Sequence, residues 1–165
     1  MTTRGSAKAR IAPVFQDLPA TVCRSLVERN HVGRIAYSFH DRVDVQPIHY
    51  MFSENWIYGR TSRGGKFSTI AHNPWCAFEV DEVRDLFDWD SVVVKGQVEF
   101  LDPEMASPDA YARGLELMRL LVPDTFEALD PVPHRSILFR MHASEISGRS
   151  ARLSTPGDDD AGDPR

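Results

Sequence analysis

Apolar residues recur along the chain with two periods, and the changes of period mark its elements. Val22, Cys23, Leu26 and Val27 fall on one face at helical spacing, which predicts a helix from Pro19 to about Arg29. Proline suits its first turn, and Asn30 and Gly33 mark its exit. The period then drops to two. Ile35, Tyr37 and Phe39 line one side of a strand, His40-Asp41-Arg42 turns, and Val43, Val45 and Pro47 line one side of a second strand that reaches Phe52. Pro47 has no N–H to give a neighbour, which argues for a sheet edge or a bulge there. Ser53-Glu54-Asn55 turns the chain into a third strand, Trp56 to Arg60.

After the polar run Thr61 to Lys66, the spacing of Phe67, Ile70 and Ala71 predicts a short helix that Asn73-Pro74 stops. Trp75 to Val83 alternates as a strand, Asp81 to Asp90 reads as an acidic loop, and Ser91 to Leu101 reads as a strand around Val92-Val93-Val94. A further helix runs from Ser107-Pro108 to about Leu121, with Tyr111, Leu115, Met118 and Leu121 on one face. Arg135 to Ile146 is the last strand. The connections are too short for parallel crossovers. The expected fold is therefore mainly β, of the α+β type: about six antiparallel strands closed into a small barrel, with two or three helices outside. The ordered domain is expected over 13–153. A disordered basic tail (1–12) and a disordered acidic tail (154–165) flank it, since neither has the apolar surface to offset its ordering entropy.

Composition narrows the function. The 165 residues suit one domain, and a net charge of −5 gives no overall basic footprint for nucleic acid. No stretch approaches the roughly 20 apolar residues of a membrane span. The N-terminus has no apolar signal core, and Cys23 and Cys76 form neither a zinc pattern nor a disulfide framework. A cytoplasmic protein with two reduced thiols is expected.

Candidate chemistry concentrates at Gly59-Arg60-Thr61-Ser62-Arg63-Gly64-Gly65-Lys66-Phe67, between a strand and a helix start. Cations, hydroxyls, glycines and free helix N–H groups make an anion site there. A solvated turn fits the same residues. The lysine is displaced from the P-loop spacing, and no Ser/Thr follows it. Trp89, with Ser91 and Val92, opens a buried strand, where the tryptophan can flank a planar ligand or simply fill the core. Pro47-Ile48-His49-Tyr50 suggests backbone open to a ligand. The six histidines show no metal-ligand spacing, and no Gly-x-Gly-x-x-Gly follows a strand.

Taken in order, Gly33-Arg34-Ile35-Ala36, Pro47-Ile48-His49-Tyr50, Tyr58 to Lys66, Asn73-Pro74, Trp89-Asp90-Ser91-Val92 with Gly96, and Glu145-Ile146-Ser147-Gly148-Arg149 resemble the pyridoxamine 5'-phosphate oxidase-like, flavin-binding split-barrel superfamily, in its branch similar to nitroimidazole-resistance proteins. The resemblance covers about 18–150. It implies a six-stranded antiparallel split barrel of Greek-key type and a homodimer with FMN at the interface. It implies an oxidoreductase that passes a hydride through flavin N5 to a small acceptor, with a donor such as NAD(P)H. By position, Arg60, Thr61, Ser62 and Lys66 would hold the phosphate, and Pro47, Ile48, His49 and Tyr50 would run along the ring. Trp89, Ser91 and Val92 would contact the flavin from either subunit. The chain lacks the Trp- and Arg-rich ending of the true oxidase, and it has Arg60 where the nitroimidazole-resistance branch has a histidine. A deazaflavin or haem in place of FMN, or a non-catalytic flavin carrier or sensor, are the alternatives the resemblance leaves.

Overall fold

The computed structural model describes residues 12–154, so the two expected tails lie, apart from Ala12 and Ser154, outside the described residues. The order of elements is β1 (Pro13–Asp17), α1 (Ala20–Arg29), β2 (Val32–Phe39), β3 (Arg42–Ser53), β4 (Trp56–Thr61), α2 (Gly65–His72), β5 (Trp75–Asp85), β6 (Asp88–Leu101), α3 (Pro108–Leu121), β7 (Ile137–His142) and β8 (Glu145–Leu153).

Six strands close a ring in the order β6-β5-β2-β3-β4-β7, with β7 pairing back onto β6. Every pairing is antiparallel. The meander β2-β3-β4 returns through α2 to place β5 beside β2, which is the Greek-key order. The remaining strands, β8 and β1, extend the sheet outward from the first half of β6.

The barrel is split on both sides. β6 carries β8 along Trp89–Lys95 and β7 along Val98–Leu101. The handover occurs at Gly96, where a Cβ would lie 1.7 Å from the His142 carbonyl oxygen. Only a residue without a side chain lets the two backbones come that close. The expected single strand from Arg135 to Ile146 is therefore two strands, bent at Ala143-Ser144. There the N–H groups of Ala143 and Ser144 donate to the carbonyls of Asn55 and Lys95. On the other side β3 pairs with β4 only from Tyr50 to Ser53, leaving one edge of Arg42–His49 without a strand neighbour among the described residues.

Two tight turns carry positive φ at both central residues, His40-Asp41 and Glu54-Asn55, as two-residue hairpins of right-handed twist require. The barrel core is filled by Ile35, Ile48, Tyr50, Ile57, Phe78, Val80, Val92, Val94 and Met141, with Cys23, Leu26 and Val27 of α1 packed on it. A second cluster seats α3 on Tyr58, Leu101 and Leu138. Its buried face is Ala110, Gly114, Leu117 and Met118, rotated from the expected one, because Gly114 allows the helix to approach Leu138 and Leu101 closely. The expected acidic loop, Asp81 to Asp90, is instead the end of the β5–β6 hairpin. Its carboxylates are matched by Arg29, Arg34, Arg84 and Arg152.

Candidate functional site

The free edge of β3 is the starting point. The Tyr50 N–H donates to the His31 carbonyl at 3.0 Å, on the β2 side. Backbone groups alternate sides along a strand, so residues 46 and 48 also turn their N–H and C=O toward β2, and Pro47 and His49 turn theirs outward. The missing N–H of Pro47 thus falls on the open edge, and the His49 N–H and both carbonyls are free there. The side chains alternate the other way. Ile48 and Tyr50 are in the core, and the Tyr50 hydroxyl donates to the Val27 carbonyl at 2.7 Å. Pro47 and His49 are exposed.

Facing this edge is the turn that leads into α2. Gly64 is the cap of that helix and offers no side-chain hydrogen bond, so the first N–H groups of α2 are without a capping partner. Gln46, Pro47, Thr61, Ser62, Gly65, Lys66 and, from the distant segment before β7, His134 and Arg135 line a groove of about 380 Å³. Lys66 is half-buried and makes no ion pair among the described residues. Burial pushes its ammonium below the ordinary lysine value, repulsion from Arg135 adds to the shift, and Asp44 opposes it. Lys66 and Arg135 thus sit close enough to repel each other, and Asp44 is the carboxylate that acts on Lys66.

Arg60 is placed differently from the expectation. Its Nη1 and Nη2 donate to the two oxygens of Asp130 at 2.5 and 2.9 Å, and both side chains are almost wholly buried. Its guanidinium also lies 5.6 Å from the Phe126 ring centroid. The Arg60 fork is therefore committed to Asp130, and Arg135 supplies the groove's second cation. Sequence reading missed Arg135 and His134, since nothing local to residues 134–135 signals an anion site and only the pairing of β4 with β7 brings them to Thr61.

Two further cavities adjoin the groove. A mostly apolar pocket of about 180 Å³ shares Arg135 with it and is walled by His49, Arg60, Met118, Leu121, Val122 and Val132, so Arg60 stays on the cleft wall while its fork is held by Asp130. At the opposite end, a pocket of about 330 Å³ shares Gln46, Gly65 and Lys66, and adds Tyr37, Phe39, Arg42 and Asp44. The groove and the pocket beyond Arg135 border the open edge of β3 and together are the candidate cleft.

Within one chain, Trp89, Ser91 and Val92 do not reach this cleft. They lie on β6, three strands from β3, or about 14 Å at the usual strand spacing. Val92 is buried in the core with strands on both sides. Ser91 donates to Glu79 at 2.9 Å, and Trp89 packs near Phe15. No cluster of His, Cys, Asp and Glu among the described residues is arranged to hold a metal, and no helix among them is long and apolar enough to cross a membrane.

Comparison with known proteins agrees with the fold. The sequence profile of the family described as pyridoxamine 5'-phosphate oxidase matches residues 19–150. An uncharacterized protein of Rhizobium meliloti is 27% identical over 139 residues, covering 78% of this chain and 90% of that one. Among solved structures, a FAD-binding protein of Mesorhizobium loti superposes with a TM-score of 0.68 at 26% identity, over 86% of this chain and 99% of the other. A candidate pyridoxamine 5'-phosphate oxidase of Corynebacterium glutamicum superposes with a TM-score of 0.63 at 25% identity, over 86% and 100%.

Proposed function

This chain belongs to the pyridoxamine 5'-phosphate oxidase family, and on that premise we propose that it is a flavin-binding oxidoreductase with FMN held along the open edge of β3. The observation that carries the reading is the convergence of Lys66 and Arg135, neither in an ion pair among the described residues, on the uncapped start of α2. A phosphate dianion supplies the charge this groove lacks, and Thr61 and Ser62 add hydroxyl donors beside it. The apolar pocket beyond Arg135 and the outward backbone groups of Pro47 and His49 would hold the ring. A bound flavin supplies hydride chemistry at N5 toward a small acceptor. The chain orients the cofactor, keeps water from its apolar side through Met118, Leu121 and Val122, and presents the His49 imidazole at the ring end. A second copy of the chain, in a homodimer, brings its Trp89 and Ser91 to the ring that β6 cannot reach within one chain. NAD(P)H suits the role of electron donor.

The test is the absorbance of the purified protein and its titration with FMN. Flavin bands, with FMN affinity falling on the order of 10- to 100-fold in Lys66→Ala and in Arg135→Ala, are expected from loss of one charge-assisted hydrogen bond each. A colourless protein without affinity for added FMN overturns the reading, and a Soret band replaces flavin by haem.

A further inference from the structure

His134 lines the groove beside α2 from a turn whose backbone is tied at both ends. The Arg135 N–H donates to the Val132 carbonyl at 2.9 Å, which closes a turn over Val132-Pro133-His134-Arg135. Pro133, at its second position, fixes its own φ, and His134 stands at the third. Before the turn, the Val132 N–H donates to Asp130 Oδ1 at 2.9 Å. After it, Ile137 pairs with Thr61 at the start of β7. The backbone that carries the imidazole is thus set before any ligand arrives, which lowers the cost of a contact made by the side chain.

The imidazole is exposed and makes no hydrogen bond or ion pair among the described residues. Its charged neighbours on the groove wall are Lys66 of α2 and Arg135 of its own turn. β3 contributes Gln46 and Pro47, and the end of β4 with the residue after it contributes Thr61 and Ser62; none of these changes charge near neutral pH. No Asp or Glu lines the groove, and the carboxylate that acts on Lys66 is Asp44. Arg60 has its fork held by Asp130. Two cations disfavour a third beside them, and an anion seated among the three favours it. Imidazole is the side chain whose charge changes between about pH 5 and 8.

We infer that His134 is a third ligand of the phosphate and binds it as the imidazolium, so that the groove takes up a proton together with its ligand. The inference rests on the flavin reading and adds a response to pH at the same site. Lys66, Arg135 and His134 then set three positive donors around a group that carries about −1.5 to −2 charge at pH 7. Loss of the imidazolium proton removes one charge-assisted hydrogen bond, so affinity for the phosphate falls as pH rises. Ionisation of the phosphate itself, centred at about pH 6, works in the opposite direction and is mostly complete by about pH 7.

The experiment is titration of the full chain with FMN and with riboflavin, the same ring without the phosphate, between about pH 6.5 and 8.5, followed by flavin fluorescence. FMN affinity of the wild type should fall roughly 3- to 10-fold across that range, the worth of one exposed charge-assisted contact. His134→Gln should match the wild type at the upper end and bind FMN more weakly at the lower end. His134→Lys keeps its charge throughout the range and should bind FMN tightly at both ends. Riboflavin affinity should be the same in all three proteins, and it reports that the variants are folded. Calorimetry in two buffers of different ionisation heat should count more protons taken up with FMN by the wild type than by His134→Gln. FMN affinity that His134→Gln leaves unchanged across the range overturns the inference while leaving the flavin reading intact. A fall with pH that is as large in His134→Gln as in the wild type also overturns it, because Lys66, whose ammonium burial already pushes down, then accounts for the change. Riboflavin losses as large as the FMN losses overturn it too, since His134 then acts elsewhere than on the phosphate. Failure of the wild type to bind either flavin overturns both readings at once.

Discussion

Arg60 shows what one residue's chemistry conceals when its partner is distant in sequence. Next to Thr61 and Ser62 it reads as a phosphate ligand, and nothing nearby announces Asp130. In the structure the pair is sealed under Phe126, and Asp130 also accepts the N–H groups of Phe126 and Val132 at 2.9 Å each. It therefore clamps the loop that delivers His134 and Arg135 to the groove. Hydrogen bonds from Arg60 hold the Asp130 carboxyl well below the usual carboxylate range, against the opposing effect of burial. The folded-state pKa is below the unfolded one. The contribution to stability is therefore complete above the unfolded value of about 4 and fades as acid approaches the folded value. Asp130→Asn should lower the melting temperature at pH 7 and narrow its gap to the wild type steadily as pH falls from about 5 to about 2. Thermal melts across that range decide it, and a gap constant with pH would show that the carboxylate's charge is not what holds the loop. Lys66, by contrast, has its glycines, hydroxyls and helix start as neighbours in sequence, so its position on the groove wall is legible locally, whatever the groove binds.

At the scale of elements, periodicity located most strands but not their continuity. β6 reads as one run of alternating apolar residues, yet it serves two partners in turn, and the switch depends on Gly96, which has no periodicity of its own. Gly96→Ala should cost at least about 1–3 kcal/mol or prevent folding, because the added carbon meets a carbonyl oxygen rather than a movable side chain. Gly64→Ala, where nothing lies within 4 Å of the added Cβ, should change stability by about 0.5 kcal/mol or less. Denaturant melts of the two variants make the comparison. The β5–β6 hairpin was hidden for a different reason: its acidic run looks like a solvated loop until the arginines are in place. Hydrogen bonds from Arg29 and Asn30 push Glu82 down to about 2, and those partners come from the end of α1, 52 or more residues earlier.

For the whole molecule, the outward face of the barrel sheet carries apolar residues that no element among the described residues covers. Val45, Ala36 and Ala77 stand in one cross-strand row, and Val43 and Trp75 flank it two residues along β3 and β5. Val43, Val45 and Trp75 are 71%, 57% and 54% exposed. A contiguous apolar patch of this kind marks an interaction surface rather than ordinary scatter. The proposed homodimer gives it a purpose, since a second copy is also what would bring Trp89 and Ser91 to the flavin. The two roles separate experimentally. Val45→Glu places a charge in the patch with its side chain on the face of β3 away from the core, and it keeps the Val45 N–H that donates to Asp44. Light scattering should show the wild type at twice the chain mass and the variant shifted toward the chain mass, with its melting transition still cooperative. If the interface completes the flavin site, the variant should also lose flavin affinity, and the loss should be relieved at high protein concentration as mass action restores the dimer. A wild type that scatters as a monomer, or a Val45→Glu dimer as tight as the wild type's, would remove this face from the assembly and leave the β3 cleft to bind its ligand within a single chain.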